Sequence, residues 1–255
     1  STFNVELNNS RFLFSNPSTA TSAINRAIPT VAASIRETNN NISWLNENIA
    51  TYRNTINDHT FEVLAGFSNQ RFRLDQYRIQ ADTYADDRIL TSQAAVNINR
   101  GGTFNAVQEW SLTSVFSRLT YSYKGKYLFT ASARGDGSSR FGVNNRWGIF
   151  PSTSVGWVLS DEEFLKGNPT ISFAKLRSSY GITGNNNIGN YTQYALINNT
   201  VNVAFGNTLT PGAAVTSLDN SNLGWETTSQ MDAGFDLGFL DDRITFNYDY
   251  FFKNT

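Results

Sequence analysis

The sequence predicts an all-β fold of antiparallel strands that have one apolar and one hydrated face. Two observations predict it: side chains alternate between apolar and polar in segments of about ten residues, and turn residues separate these segments. The composition agrees, because aromatic residues make up 14% of the chain and charged residues only 16%. The polarity comes mainly from Asn, Ser, Thr and Gln, which suits a wet but largely uncharged strand face.

Nine segments show the alternation. We predict strands at 1–13, 42–56, 59–72, 111–123, 126–136, 147–159, 173–182, 225–239 and 243–254. The pattern is clearest in the last two, where Phe235 and Phe246 mark the apolar faces and Asp236 and Asn247 mark the polar faces. It is weakest in 42–56, since neither face of that segment is clearly apolar.

Aromatic residues with polar atoms lie near the ends of the predicted strands. Tyr121, Tyr123 and Tyr127 surround one short turn, and Trp147 and Trp157 occupy opposite ends of one strand. Such rings are favoured at the headgroup level of a bilayer, where both the apolar ring and its polar tip are satisfied. The pattern therefore predicts an aromatic girdle at each end of membrane-spanning strands.

The predicted connections alternate strictly between short and long. The short ones are Asn57–His59, Lys124–Lys126, Asp241–Asp242 and a modest link through Ser160–Phe164, where we expect one helical turn capped by Ser160. The long ones are 14–41, 73–110, 137–146 and 183–224. Short periplasmic turns and long extracellular loops are typical of outer-membrane barrels. We therefore predict an antiparallel transmembrane β-barrel, here a partial barrel of about nine strands.

The composition excludes several other classes of function. The chain has no cysteine, which excludes disulfides and thiol catalysis. Its net charge of -1 gives no support to nucleic-acid binding. No apolar run approaches the roughly 18 residues of a membrane-spanning helix, so a membrane location requires strands.

The residues give little support to catalysis. His59 is the only histidine and falls in a predicted short turn, which argues against a Ser/His/Asp triad or a His-rich metal site. Paired carboxylates for glycoside hydrolysis are conceivable at Asp86–Asp87, Asp161–Glu163 and Asp241–Asp242. All three groups fall in predicted loops or turns, which such residues favour. We predict no catalytic residue, cofactor or metal site, and a protein that is not an enzyme.

Several stretches resemble SusC/RagA-type TonB-linked outer-membrane proteins. The clearest is RLTYSYKGKYLFTASARGDGSSRFGVNNRWGIFPSTSVGW at 118–157. LRSSYGITGNNNIGNY at 176–191 and LGWETTSQMDAGFDLGFLDDRITFNYDYFFKNT at 223–255 resemble the next signatures of the family. SWLNENIATY at 43–52 and FEVLAGFSNQ at 61–70 also fit, and together the stretches cover well over half of the chain in the expected order.

This resemblance implies a barrel of about 22 strands, plugged by an N-terminal domain, in the outer membrane. It implies import driven by the TonB complex, with a SusD-like surface lipoprotein as a lid over the extracellular mouth. The implied substrate is an oligosaccharide or, next, a peptide. Since no plug or TonB-contacting segment is found, we expect residues 1–255 to be part of one barrel domain of a longer chain, surrounded by outer-membrane lipid.

Two sets of residues are candidates for the functional site. The first set is expected on the lumen-facing sides of the strands, to contact the plug or substrate: Arg118, Arg134, Asp136, Lys175 and Arg177. Outward-facing Arg or Lys would cost roughly 2 to 4 kcal/mol at the bilayer midplane. The second set lies in an extracellular loop, for substrate or lid contact: Asn185, Asn186, Asn187 and Trp225. Asn is also a common turn residue, and a tryptophan at a strand end also fits a girdle.

Two alternatives remain open at this point. One is a passive porin-like barrel without energy coupling. The other is a soluble carbohydrate-binding β-sandwich, in which Phe235, Phe246 and Tyr248 would be buried against a second sheet. The environment of these three rings distinguishes a membrane barrel from a sandwich.

Overall fold

The computed structural model describes residues 1–18, 32–86, 88, 89 and 91–255, and of residues 199 and 200 only the backbone. This part of the chain is built almost entirely of strands, and it contains no helix long and apolar enough to cross a membrane. The strands are β1 (Thr2–Asn16), β2 (Ala33–Ile56), β3 (His59–Tyr84), β4 (Ala95–Ile98), β5 (Phe104–Tyr123), β6 (Tyr127–Ser138), β7 (Trp147–Val158), β8 (Ile171–Asn185), β9 (Ile197–Phe205), β10 (Thr208–Val215), β11 (Glu226–Phe239) and β12 (Ile244–Asn254).

Ten strands form one sheet. Nine follow the order β1-β2-β3-β5-β6-β7-β8-β11-β12, and β4 pairs with β3 outside this path. Strands β9 and β10 form a separate two-stranded sheet. All nine predicted strands are thus present as neighbours along the sheet. Strands β1 and β12 are its edges, so the described strands form an open part of a barrel.

The chain divides into two compact units. Unit 1 contains Ser1–Thr2, Asn46–Asn69 and Ser111–Thr255, and unit 2 contains Phe3–Leu45 and Gln70–Trp110. Unit 1 therefore holds β6 to β12 together with the parts of β2, β3 and β5 nearest the short turns. Unit 2 holds β4, most of β1 and the remaining lengths of β2, β3 and β5.

Unit 1 has one apolar and one polar sheet face, as predicted. Tyr127 pairs with Trp157 across β6 and β7, and Phe235 pairs with Tyr248 across β11 and β12. Phe246 and Tyr248 each keep 50% of their surface exposed, so they are not covered as a sandwich core would be. A bilayer supplies the apolar environment that these outward rings require.

Three strands extend furthest beyond their predicted ends. Strand β2 begins at Ala33, β3 ends at Tyr84 and β5 begins at Phe104. The predicted loops 14–41 and 73–110 are therefore wrong in extent, although residues 19–31 lie outside the described part. The strand residues beyond the predicted ends include polar side chains on both faces, so the sequence shows no clear alternation there. The backbone pairing nevertheless continues through them.

Strand β3 shows this change of chemistry along its length. Its odd-numbered residues from Phe61 to Phe67 are apolar, and Arg71, Arg73 and Asp75 then occupy the same alternate positions. With 26 residues, β3 is about 86 Å long, whereas a tilted membrane-spanning strand needs only about 9 to 11 residues. The part of β3 near its short turn thus has the apolar face that a bilayer requires, and the charged positions interrupt that face further along the strand.

In unit 2, charged side chains occupy part of the face of β3 and β5 that is apolar in unit 1. Arg71 and Arg73 both bind the Glu109 carboxylate, at 3.0 and 2.7 Å, and Arg73 also binds Asp75 at 2.8 Å. The hydrogen bond from Arg71 holds the pKa of the Glu109 carboxyl below its usual value. These exposed ion pairs suit water and not lipid.

A hairpin lies inside the predicted loop 183–224. Strand β9 pairs with β10, and Gly206 has the positive φ of 61° that the tight turn between them needs. The sequence contains a signal for it, because Val201, Val203 and Phe205 alternate with polar or small residues. The loop prediction is therefore wrong for these strands.

The short turns have the expected compactness but differ in one detail. Lys124 and Gly125 have φ values of 54° and 71°, which a type I′ turn requires. In the link from β7 to β8, a 3₁₀ turn spans Leu159–Asp161, and Val158 precedes it without a side-chain cap. The predicted helical cap at Ser160 is wrong, because Ser160 lies inside the turn and not before it.

Candidate functional site: the polar sheet face and its two ends

The apolar face of unit 1 has the height of a bilayer. Trp147 is the first residue of β7 and Trp157 is the last but one, so the two tryptophans are ten residues apart. That separation is about 33 Å along the strand, or about 25 Å along the membrane normal at a tilt near 40°. The two tryptophans therefore lie where the headgroup levels of both leaflets are expected.

Neighbouring aromatic rings form a row at the short-turn end of the apolar face. The ring centroids of His59 and Tyr123 are 4.7 Å apart, those of Tyr123 and Tyr127 are 6.1 Å apart, and those of Tyr127 and Trp157 are 6.2 Å apart. The Nδ1 atom of His59 also forms a 2.7 Å hydrogen bond with the Tyr121 hydroxyl. His59 thus belongs to this aromatic girdle.

Glu162 joins the aromatic row to the link between β7 and β8. Its Oε1 atom accepts hydrogen bonds from the Tyr127 hydroxyl at 2.7 Å and from the Trp157 indole at 3.1 Å. Its Oε2 atom lies 3.3 Å from the Lys126 ammonium. The sequence alone predicts only a turn position for Glu162, because its partners Tyr127 and Trp157 lie on two different strands, β6 and β7. The hydrogen bond from Tyr127, followed by that from Trp157, lowers the pKa of the Glu162 carboxyl.

This geometry predicts a pH-dependent change at Trp157. Because the folded pKa of Glu162 is lowered, its contribution to stability is present above the unfolded pKa near 4.3 and is lost as the pH falls through the lower folded pKa. The indole signal of Trp157, followed by NMR, should shift below about pH 4. The shift should be absent in Glu162→Gln and retained in the exposed-site control Glu163→Gln. A shift in Glu162→Gln equal to that of the wild type would contradict the assignment.

All five predicted lumen candidates lie on the polar face of unit 1. The register pairs Arg118 with Ser132 and Ser154 with Ser179, which links the alternate residues of β5, β6, β7 and β8 on one face. Arg118 lies 3.9 Å from Glu62, and both side chains are partly exposed. Whether these candidates contact substrate stays a prediction.

Arg134 and Asp136 form a local ion pair. The Arg134 Nε atom donates to Asp136 Oδ1 at 2.7 Å, and its Nη2 atom donates to the hydroxyl of Ser114, which is fully buried. The guanidinium carbon also lies 5.4 Å from the centre of the Phe116 ring. The two charges of the Arg134-Gly135-Asp136 tripeptide therefore bind each other on the sheet.

Arg177 connects three strands. It binds Asp236 on β11 at 3.2 Å and Asp249 on β12 at 2.5 Å. It reaches β12 by crossing Gly234, where a Cβ atom would lie 3.1 Å from the guanidinium carbon and 2.6 Å from an Asp249 oxygen. The small residue on β11 thus permits an ion pair between two strands that are not neighbours.

Three of the acidic side chains considered for catalysis, Asp86, Glu162 and Asp242, have structural partners. Asp86 binds Arg88 through both carboxylate oxygens, which holds the pKa of Asp86 below its usual value, and Asp87 lies outside the described residues. In the turn between β11 and β12, Asp242 accepts a hydrogen bond from Ser172 at 2.6 Å. Among the described residues, no group of three or more His, Cys, Asp or Glu side chains is arranged to hold a metal ion.

The long-loop end of unit 1 contains a packed loop cluster, which we define as 139–146 together with 186–225. Phe141 is fully buried and lies 4.7 Å from the Trp225 ring, and Phe150 lies 5.1 Å from it. Gly142 donates a backbone hydrogen bond to Leu223 at 2.9 Å. Trp225, a predicted loop contact, thus packs between two phenylalanines.

The three asparagines predicted for ligand contact follow one another at the end of β8. Asn185 donates to Glu226 at 2.9 Å and accepts from the Asn187 backbone at 2.9 Å. The Asn186 carbonyl accepts from Arg140 at 3.1 Å. These contacts support the turn, and exposed Asn187 stays a prediction for ligand contact.

The faces and ends described above define a class of protein. An antiparallel sheet with an outward apolar band, aromatic residues at both of its levels and a charged, hydrogen-bonded opposite face is the wall of a transmembrane β-barrel.

Comparison with known proteins gives the family. Residues 2–255 match the family model described as TonB dependent receptor-like, beta-barrel, and the chain belongs to this family. It is 41% identical to TonB-dependent receptor P39 of Formosa agariphila, over 82% of this chain and 20% of that protein. It is 37% identical to TonB-dependent receptor SusC of Bacteroides thetaiotaomicron, over 80% of this chain and 20% of that protein. The chain spans about a fifth of the length of these relatives.

Solved structures show the same fold. The chain superposes on a structure of the RagAB peptide transporter with a TM-score of 0.84 and 24% identity, covering 98% of this chain and 27% of that chain. A RagAB peptide importer in the open-open state gives a TM-score of 0.82. The predicted SusC/RagA-type resemblance is confirmed, and the relatives are receptors and not enzymes.

Proposed function

We propose that this chain forms part of the wall of an outer-membrane receptor that imports a nutrient with energy delivered through TonB. The observation that carries the proposal is that one face of the sheet is apolar over the thickness of a bilayer, while the opposite face carries ion pairs such as Arg134–Asp136 and Arg177–Asp236. The family of TonB-dependent receptors, with SusC among the relatives, supports the energy coupling.

We further propose an oligosaccharide or a peptide as the imported nutrient and a SusD-like surface lipoprotein as the partner. Similarity to SusC supports this pairing, and the fold shared with the RagAB peptide transporter supports a peptide as cargo. Ligand would be captured at the extracellular end, where the loop cluster lies, and a plug moved by TonB would open the path along the polar face.

Uptake measurements test this function in cells that express the full-length protein. Deleting the TonB energy source should abolish uptake of the nutrient, whereas a passive porin-like barrel would give unchanged uptake. Fractionation and gel mobility with and without boiling provide the control for membrane location. Recovery in the soluble fraction without heat-dependent mobility would contradict both membrane functions.

A further inference from the structure

Two opposite charges on the polar face of unit 1 lie in one recess without an ion pair. Arg134 and Arg177 are paired with acidic side chains, but Lys175 and Asp232 form no ion pair with any residue that the structure describes. Both line a recess of about 310 Å³ on this face. A charge that is left unpaired beside a concave surface is available to a ligand.

Lys175 lines the recess and is not bound to the acid opposite it in the register. The register places Asp236 directly opposite Lys175, yet Asp236 binds Arg177 through hydrogen bonds of 3.2 and 3.3 Å. The Lys175 side chain instead lies over Gly156 of β7, with its Cε atom 3.4 Å from the position of a Cβ there. The ammonium group is thus left at the β7 side of the recess.

Asp232 supplies the opposite charge at the β11 side. Its carboxylate accepts hydrogen bonds from the Ser179 hydroxyl at 3.1 Å and from the Gln230 amide at 2.9 Å. Both donors are neutral, and a carboxylate has about four acceptor positions. Asp232 therefore keeps both its charge and the capacity to accept hydrogen bonds from an ammonium group.

The spacing of the two strand positions from which the charges project indicates the size of the ligand. Strands β7 and β11 are two steps apart in the sheet, or about 10 Å. Asp232 also lies two residues beyond Gly234, which pairs with Arg177, and this adds about 7 Å along the strand. The resulting separation of about 12 Å, between the backbone of Gly156, over which the Lys175 side chain lies, and the backbone of Asp232, matches an extended peptide of three or four residues at about 3.4 Å per residue. Between the ends, the hydroxyls of Thr130 and Ser154 line the recess.

We propose that this recess binds a short zwitterionic peptide, with its terminal carboxylate on Lys175 and its terminal ammonium group on Asp232. The inference rests on the proposed import function and names its substrate class. A neutral oligosaccharide has no charge for either residue and would leave both unpaired.

Titration calorimetry on the full-length protein tests the recess with tetra-alanine as the probe. Blocking both peptide ends, as N-acetyl-tetra-alanine amide, should raise the Kd about tenfold or more, because a charge-assisted hydrogen bond is lost at each end. Lys175→Gln and Asp232→Asn should each raise the Kd of free tetra-alanine about tenfold and leave that of the blocked peptide unchanged. The matched controls are Lys166→Gln and Glu163→Gln, which remove exposed charges in the β7–β8 link.

A charge-swapped variant keeps the test decisive. The double variant Lys175→Asp with Asp232→Lys should bind tetra-alanine more tightly than either single variant, because the peptide can bind in the reverse direction. Heat-dependent gel mobility checks that each variant folds. Equal Kd values for free and blocked tetra-alanine would overturn the proposal, as would tighter binding of maltotetraose that depends on neither residue. Uptake without TonB energy would contradict the import function instead, and it would leave these Kd values unchanged.

Discussion

Replacing Leu119 with arginine should destabilise the membrane-inserted protein by about 2 to 4 kcal/mol. Leu119 lies on the apolar face of β5, opposite Ala131, four residues from the strand end at Tyr123. An arginine there has to be desolvated by lipid near the midplane. The midpoint of urea unfolding in lipid vesicles, followed by heat-dependent gel mobility, measures the loss.

The adjacent residue provides the control at the same depth. Thr120 pairs with Thr130 on the polar face, so Thr120→Arg places the same charge in the hydrated interior. We expect a change in the unfolding free energy within about 1 kcal/mol. If Thr120→Arg cost more than Leu119→Arg, the two faces would be assigned the wrong way round, and the membrane location would fail with them.

Truncating Phe141 to alanine should lower the local stability of the loop cluster by about 3 to 5 kcal/mol. The Phe141 ring is fully buried against Trp225. An alanine side chain is too small to fill the space of the ring and would leave a cavity. Because the cluster is held by its own backbone hydrogen bonds, the loss should be confined to the long-loop end. Hydrogen exchange of the amides of Gly142 and Asn144, which bond to Leu223 and Ser221, measures it.

Val143 is the matched control in the same loop. Its side chain is 70% exposed, so Val143→Ala should leave the exchange rates nearly unchanged. Similar exchange rates in Phe141→Ala and Val143→Ala would show that the loops are not held by this aromatic contact. Unchanged heat-dependent mobility in both variants would confirm that the membrane-spanning strands remain folded.

The membrane-spanning strands could be predicted because a bilayer imposes its chemistry on every second residue. Phe235 and Phe246 alternate with Asp236 and Asn247, and the structure puts the rings on one face and the polar groups on the other. The extension of β3 to Tyr84 could not be predicted in the same way. Water accepts polar side chains on both faces of a strand, so no alternation distinguishes a paired strand from a loop there.

The polar-face candidates could be assigned to a face but not to their partners. Arg134 and Asp136 are two residues apart on one strand, which brings their side chains together in any register. Arg177 contacts Asp249, 72 residues later, only because β8, β11 and β12 align at Gly234. A one-residue slip of any of these strands would send that contact to the opposite face.

The sequence by itself determined the two faces, the alternation of short and long connections and the family, because these depend on residue order within single strands and turns. Only the tertiary structure decided which charges form ion pairs and that Lys175 and Asp232, which form none among the described residues, share a recess. It also decided that Trp225 packs into the loop cluster. These contacts join residues far apart in the chain, and their distances depend on strand register and loop packing, which local side-chain patterns do not specify.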